Sequence, residues 1–183
     1  FEEPILFAPN KNLEGDWDSY PVSFWGNLFG QSPYFRNRFE SYHDFATATL
    51  ESITAELNAF ELYEINYDSS VVLENKGDES VVAQELPDQA QWAPLYGFEK
   101  VASQDQTSIL VVGNDFGNEP FFGPLDALNG LQLDLVDNQW TVNNHSNFYV
   151  TGNARDLIRI KKADNGHRYI ASQNNDQLVI YDK

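Results

Sequence analysis

A mainly β fold is what this sequence predicts, built as a partial β-propeller of about three blades of antiparallel strands with one inserted amphipathic helix. Three observations predict it. Short β-rich runs recur with turn residues between them. One of those segments has a second copy about 87 residues downstream. A single stretch, 41–60, replaces the β pattern with helical spacing.

The duplicated segment comes first along the chain. Residues 21–35 (PVSFWGNLFGQSPYF) match 107–122 (TSILVVGNDFGNEPFF): Gly26, Asn27, Phe29, Gly30, Pro33, Tyr34 and Phe35 align with Gly113, Asn114, Phe116, Gly117, Pro120, Phe121 and Phe122. In both copies the apolar run is expected to be a strand buried on both faces. The Gly-Asn pair supplies the positive φ of a tight exit. The spacing exceeds the roughly 40–50 residues of one propeller blade, and the stretch SYHDFATATLESITAELNAF at 41–60 explains the excess. Ser41 followed by Asp44 opens it like a capping box. Phe45, Ala48, Leu50, Ile53 and Leu57 then form an apolar stripe at helical spacing.

Hairpins follow. Residues 71–74 and 81–85 flank Asn75-Lys76-Gly77-Asp78, and 131–136 and 139–142 flank Asp137-Asn138. The last part reads as strands at 157–161, 169–172 and 178–181, separated by Asp164-Asn165-Gly166 and by Gln173-Asn174-Asn175-Asp176. Closely spaced strands with turn chemistry indicate an all-β sandwich, barrel or propeller, and the repeat favours the propeller. Residues 1–183 are therefore expected to form one propeller-like domain or fragment, with 41–60 inserted as a helix.

Composition narrows the function. The 183 residues are 42% hydrophobic and 14% aromatic, which marks a folded chain. Twenty-eight acidic residues against eleven basic ones give a net charge of −17. Such a surface repels phosphate backbones and anionic membranes, so no nucleic-acid partner is expected. Cysteine is absent, which removes disulfide, zinc-thiolate and cysteine-nucleophile chemistry. No apolar run approaches the roughly 18 residues of a membrane span. The chain begins at Phe1 with no recognisable leader, so a processed or excised piece of a longer protein is expected.

The run LVVGNDFGNEPFFGPLDALNGLQL resembles the loop block of FG-GAP/VCBS-repeat propellers, including large outer-membrane proteins with an ASPIC/UnbV domain, relatives of cartilage acidic protein. SPYFRNRFESYHDFATATLE, VVLENKGD, QAQWAPLYGF and ASQNNDQLVIY are similar to successive pieces of that family's C-terminal region, covering about 33–181 in order. The resemblance implies an extracellular or outer-membrane-surface repeat protein, non-catalytic, that scaffolds or binds glycan or protein ligands, in some members within nutrient-capture machinery. It also implies calcium loops of alternating oxygen ligands around a glycine. The nearest match here is degenerate: Asn10, Asn12, Glu14, Gly15, Asp16 and Asp18. Ahead of the second copy's strand only Asp105 remains. Calcium is thus a possible ligand, and no cofactor is required. In GPLDALNG, residues Gly123, Asp126, Ala127 and Gly130 are kept, but the family's Arg-aromatic pair is Pro124-Leu125.

Catalytic patterns are missing. His43, His145 and His167 share no metal-ligand spacing, and no nucleophile elbow, P-loop or dinucleotide fingerprint is present. Carboxylate pairs such as Glu61/Glu64 or Asp134/Asp137 are what a glycan-active hydrolase would draw on, the least favoured reading. Binding has better material. Trp25, Asn27 and Phe29 in one copy, and Asn114, Asp115, Phe116 and Glu119 in the other, put aromatic faces beside amides and carboxylates, the chemistry of a glycan or peptide site. Asp126, Asn174, Asn175 and Asp176 would extend the same rim. The alternative is a structural subunit that completes a propeller with another chain, since about three blades cannot close a ring and leave edge strands open.

Overall fold

The computed structural model describes residues 4–57, 60–77, 79–103, 106–118, 120 and 122–182. The protein is mainly β: the described residues form four small antiparallel sheets and no closed barrel. Two compact units divide the chain, Phe1–Glu64 and Ile65–Lys183.

In the first unit, strands β1 (Phe7–Lys11) and β2 (Trp17–Pro21) form a hairpin. Four short helices follow among the described residues: α1 (Trp25–Gln31), α2 (Pro33–Arg38), α3 (Tyr42–Ala46) and α4 (Leu50–Thr54). Two expectations are corrected here. The first copy of the repeat is helical, not a strand. Its matches to the second copy fall on Gly, Asn, Phe and Pro, but Trp25, Leu28 and Phe29 stand at i, i+3 and i+4. The second copy instead carries Ile109-Leu110-Val111-Val112, a strand-forming run rich in β-branched residues.

The single helix expected over 41–60 is the second correction: the described residues there form two helices, and 58 and 59 lie outside them. Ser41 Oγ does accept the Asp44 amide (3.1 Å), as its capping role requires. The Thr47 hydroxyl then donates to the His43 carbonyl, and Thr49 Oγ1 accepts the Ser52 amide and caps a new start at Leu50. A threonine that caps competes with helix continuation at the same place. Leu28, Phe35, Phe45 and Ile53, all buried, form the core of this unit.

The described residues of the second unit form three sheets. Strands β3 (Val71–Asn75) and β4 (Val81–Glu85) make a hairpin. Strands β5 (Leu95–Lys100), β6 (Ser108–Gly113), β7 (Leu131–Val136) and β8 (Gln139–Val142) make a four-stranded meander in sequential order. Strands β9 (Ala154–Lys161), β10 (His167–Gln173) and β11 (Val179–Asp182) make a three-stranded one. Asp137 and Asn138 both have positive φ, 48° and 63°, the geometry of the tight β7–β8 turn read from the sequence.

Strand β6 explains how the sheets stack, because its side chains alternate between two cores. Leu110 and Val112 pack with Leu157, Tyr169 and Ala171 of the β9–β11 sheet. Val111 packs the other way with Leu86, Ala90 and Leu133, and Val72 of β3 lies against that cluster. Each fully buried aliphatic side chain contributes roughly 1.5–3 kcal/mol. The central sheet is therefore covered on both faces and the two outer sheets on one.

Candidate functional site

Two strand exits in the second unit have matching geometry. The Asn114 amide, just past β6, donates to the carbonyl of Pro94, just before β5 (3.0 Å). The Asn174 amide, just past β10, donates to the carbonyl of Asn153, just before β9 (2.8 Å). Each hairpin also shifts register beside its exit: the β5–β6 pairing skips Tyr96, and the β9–β10 pairing skips Arg155. Bulges of this kind re-aim the extra side chain.

The re-aimed side chains meet. The Arg155 guanidinium lies 4.5 Å from the centre of the Tyr96 ring. Arg155 donates from Nη2 to Asp115 Oδ1 (2.9 Å), and the Tyr96 hydroxyl donates to Asp115 Oδ2 (3.1 Å). The Gly117 amide also donates to Asp115 Oδ1, and main-chain bonds tie Asp115 to Leu125 across the loop. Arg155 and Asp115 are part exposed, with 37% and 29% of their side-chain surfaces accessible. Phe116, Phe122 and Leu125 are exposed in the same loop. The arrangement is a fixed, charge-neutral polar patch among exposed apolar side chains.

Asn114 holds this exit from beneath. It is fully buried with φ 82°. Its Nδ2 donates to the carbonyls of Leu128 (2.8 Å), Thr151 (3.2 Å) and Gly152 (3.1 Å), and its Oδ1 accepts the Leu128 amide (2.9 Å). The residue therefore ties three chain segments together and leaves no side-chain atom facing a ligand.

The electrostatics give a pH prediction. The Gly117 amide, then Arg155 and Tyr96, hold the Asp115 carboxyl below its ordinary range. A carboxyl depressed on folding stabilises fully above its unfolded pKa and loses that contribution as pH falls through the lowered value. Asp164, bonded by the Gly166 amide, and Asp182, paired with Arg168, carry the same sign. Self-repulsion from the net charge of −17 eases towards the isoelectric point near 4.2. Thermal stability is therefore expected to hold or rise from pH 7 to about pH 5 and to fall steeply below the usual carboxylate range, about pH 4. Asp115→Asn should shallow that acid limb; an unchanged limb in a melting series would deny the pairing its role.

The other residues expected at a rim fall in both units. In the first unit Trp25 is part buried: its Nε1 donates to the Phe35 carbonyl (2.9 Å), and its ring meets Phe29 and Tyr42 edge-on. Trp25 and Phe29 thus pack the first unit's core, while Asn27 is exposed on α1. Asp126, Asn174, Asn175 and Asp176 are exposed in the second unit. Glu119, Phe121, Asp105 and Asp78 lie outside the described residues.

Asn10 and Asp18 face each other across the β1–β2 hairpin, whose turn contains Glu14, Gly15 and Asp16. Asn10, Asn12 and Asp18 each use a side-chain oxygen to accept a main-chain amide. No three His, Asp or Glu side chains among the described residues are grouped to hold a metal. No described helix is long and apolar enough to cross a membrane.

Tyr96 and Arg155 were not picked out as site residues from the sequence. The available signal is a fourth Gly-Asn pair, Gly152-Asn153, two residues before Arg155. A separate open cleft of about 450 Å³, lined by Gln84, Gln139, Trp140 and Asn144, lies between β4 and β8. No protein-family model, curated protein or solved structure matches the chain.

Proposed function

We propose that the chain is a non-catalytic, propeller-type module of a cell-surface or secreted protein of the FG-GAP/VCBS kind, and that it binds glycans through the strand-exit rim of its second unit. Sequentially ordered meander sheets, stacked face to face with matched exits, support the propeller reading. The observation that carries the binding reading is the convergence of Tyr96 and Arg155, bulged from two different sheets, on Asp115. Local strand irregularity of this kind re-aims side chains and often lies beside functional sites.

The choice of glycan follows from the chemistry. Asp115 neutralises Arg155, so the patch offers oriented N–H, O–H and carboxylate groups without net charge. The exposed Phe116 and Phe122 rings supply apolar faces for sugar C–H groups. A glycan array probed with the purified chain tests the proposal. Binding should be detected, and Phe116→Ala and Tyr96→Ala should each weaken it about tenfold or more, the scale of a central contact residue. Asn27→Ala, in the other unit, should leave it unchanged. Glycan binding indifferent to Phe116 and Tyr96, or capture of peptides alone, would overturn the assignment.

A further inference from the structure

Strand β8 ends the four-stranded sheet, with β7 on one side and no strand paired on the other among the described residues. Antiparallel pairing alternates hydrogen-bonded and non-hydrogen-bonded residue pairs, so one bond fixes the phase of the whole strand. The Asn143 amide donates to the Gln132 carbonyl (2.9 Å). Leu135, opposite Trp140, instead gives its amide to the Thr107 carbonyl on the β6 side (2.9 Å). Gln139, Thr141 and Asn143 therefore direct their main-chain groups to β7. Trp140 and Val142 alternate with them, and each directs an N–H and a C=O to the open edge.

That edge borders the open cleft of about 450 Å³ between β4 and β8, a volume within the roughly 300–1,000 Å³ of ligand sites. Leu86, Pro87 and Trp140 give the cleft apolar walls, and Gln89 and Asn144 add amides. Trp140 and Val142 lie on the face of β8 that packs against Leu86, Val111 and Leu133. Side chains of a strand added beside them would alternate between the cleft and the opposite face. We infer that β8 takes up an extended peptide as a fifth strand, with an apolar side chain at every second position seated in the cleft. A row of alternating N–H and C=O groups is matched by another main chain, and an adjoining pocket for alternate side chains supplies selectivity. A sugar has no such repeat. Glu85 is the charged residue of the cleft lining, and the net charge of −17 disfavours acidic peptides. This goes beyond glycan binding and needs none of the rim residues.

Residue-resolved hydrogen–deuterium exchange on the full chain tests it, with three capped peptides as probes. One alternates Val and Thr between Lys ends, one carries the same core between Glu ends, and one is a Gly-Ser repeat. Without peptide, the Trp140 and Val142 amides should exchange fast and the Thr141 amide slowly. The Lys-ended peptide at ten times its Kd should slow Trp140 and Val142 about tenfold. The other two peptides should not do so at that concentration. Val142→Pro removes an outward donor and none of the bonds to β7, so it should abolish the slowing at Trp140. Should that variant fail to fold, methylation of the peptide's main-chain nitrogens replaces it. Methyl groups on the Val set or on the Thr set should abolish binding and the other set should spare it, because only alternate amides face β8. Amides indifferent to every peptide, slowed alike by all three, or equally sensitive to both methylated sets overturn the inference. So does slowing that appears without peptide and rises with protein concentration, which would mean that a second copy pairs there.

Discussion

Asn114→Ala is expected to cost the second unit about 4 kcal/mol, since leaving a buried polar group unpaired costs about 1–3 kcal/mol each. The substitution removes the acceptor of the Leu128 amide and the donor to the carbonyls of Leu128, Thr151 and Gly152, in a place with no exposure to water. It also asks alanine to adopt φ 82°, which asparagine tolerates far better. Two further variants separate these terms. Asn114→Gly removes the strain but not the lost bonds, so it should lie between wild type and alanine. Asn114→Asp keeps the acceptor but sets a buried charge against three carbonyl oxygens, so it should be the worst of the three. Urea unfolding followed by far-UV dichroism gives the ranking, and a neutral Asn114→Ala would contradict the role described.

Gly97→Ala is expected to cost about 3 kcal/mol, at the upper end of what overpacking a close-packed core costs. A Cβ there would lie 2.7 Å from the Leu157 nitrogen, 2.8 Å from the Asp156 carbonyl carbon and 2.9 Å from Val112 Cγ2. Two of those atoms are β9 backbone, so no side chain can swing aside. Strand β5 must instead move away from β9, opening the core that Leu110, Val112, Leu157 and Tyr169 close. Gly30→Ala in α1 is the control. Its Cβ meets nothing within 4 Å and its φ is not positive, so it should be neutral or stabilise by roughly 0.5–1 kcal/mol through helix propensity.

Turns were legible wherever local chemistry decided them. Asp137-Asn138 and Asp164-Asn165-Gly166 reverse the chain where expected, because positive φ at Asn138 and Asn165 is a property of those residues themselves. The start at Ser41 was legible for the same reason, and the break at Thr49 was not, since its capping oxygen sits inside a stripe that helical periodicity alone reads through.

The duplicated Gly-Asn-x-Phe-Gly motif misled because punctuation residues are shared by helix starts and strand exits, and the flanking apolar spacing separates the two. The geometric repeat pairs Pro94 and Asn114 with Asn153 and Asn174, and of these equivalents only Asn114 and Asn174 share an identity. Tyr96 and Arg155 were illegible as partners. Each becomes a bulge only through its register with another strand, and register is a property of the pairing.

The β6 and β10 exits are equivalent structures, each closed onto the strand that precedes it. Hydrogen–deuterium exchange at the Asn174 amide tests this most directly, because that residue is exposed and sits in a polar turn. Closed onto the Asn153 carbonyl at 2.8 Å, its amide should exchange slowly, in the class of Asn114 and well behind its exposed neighbours Asn175 and Asp176. Exchange at Asn174 as fast as at those neighbours would contradict the equivalence and with it the rim.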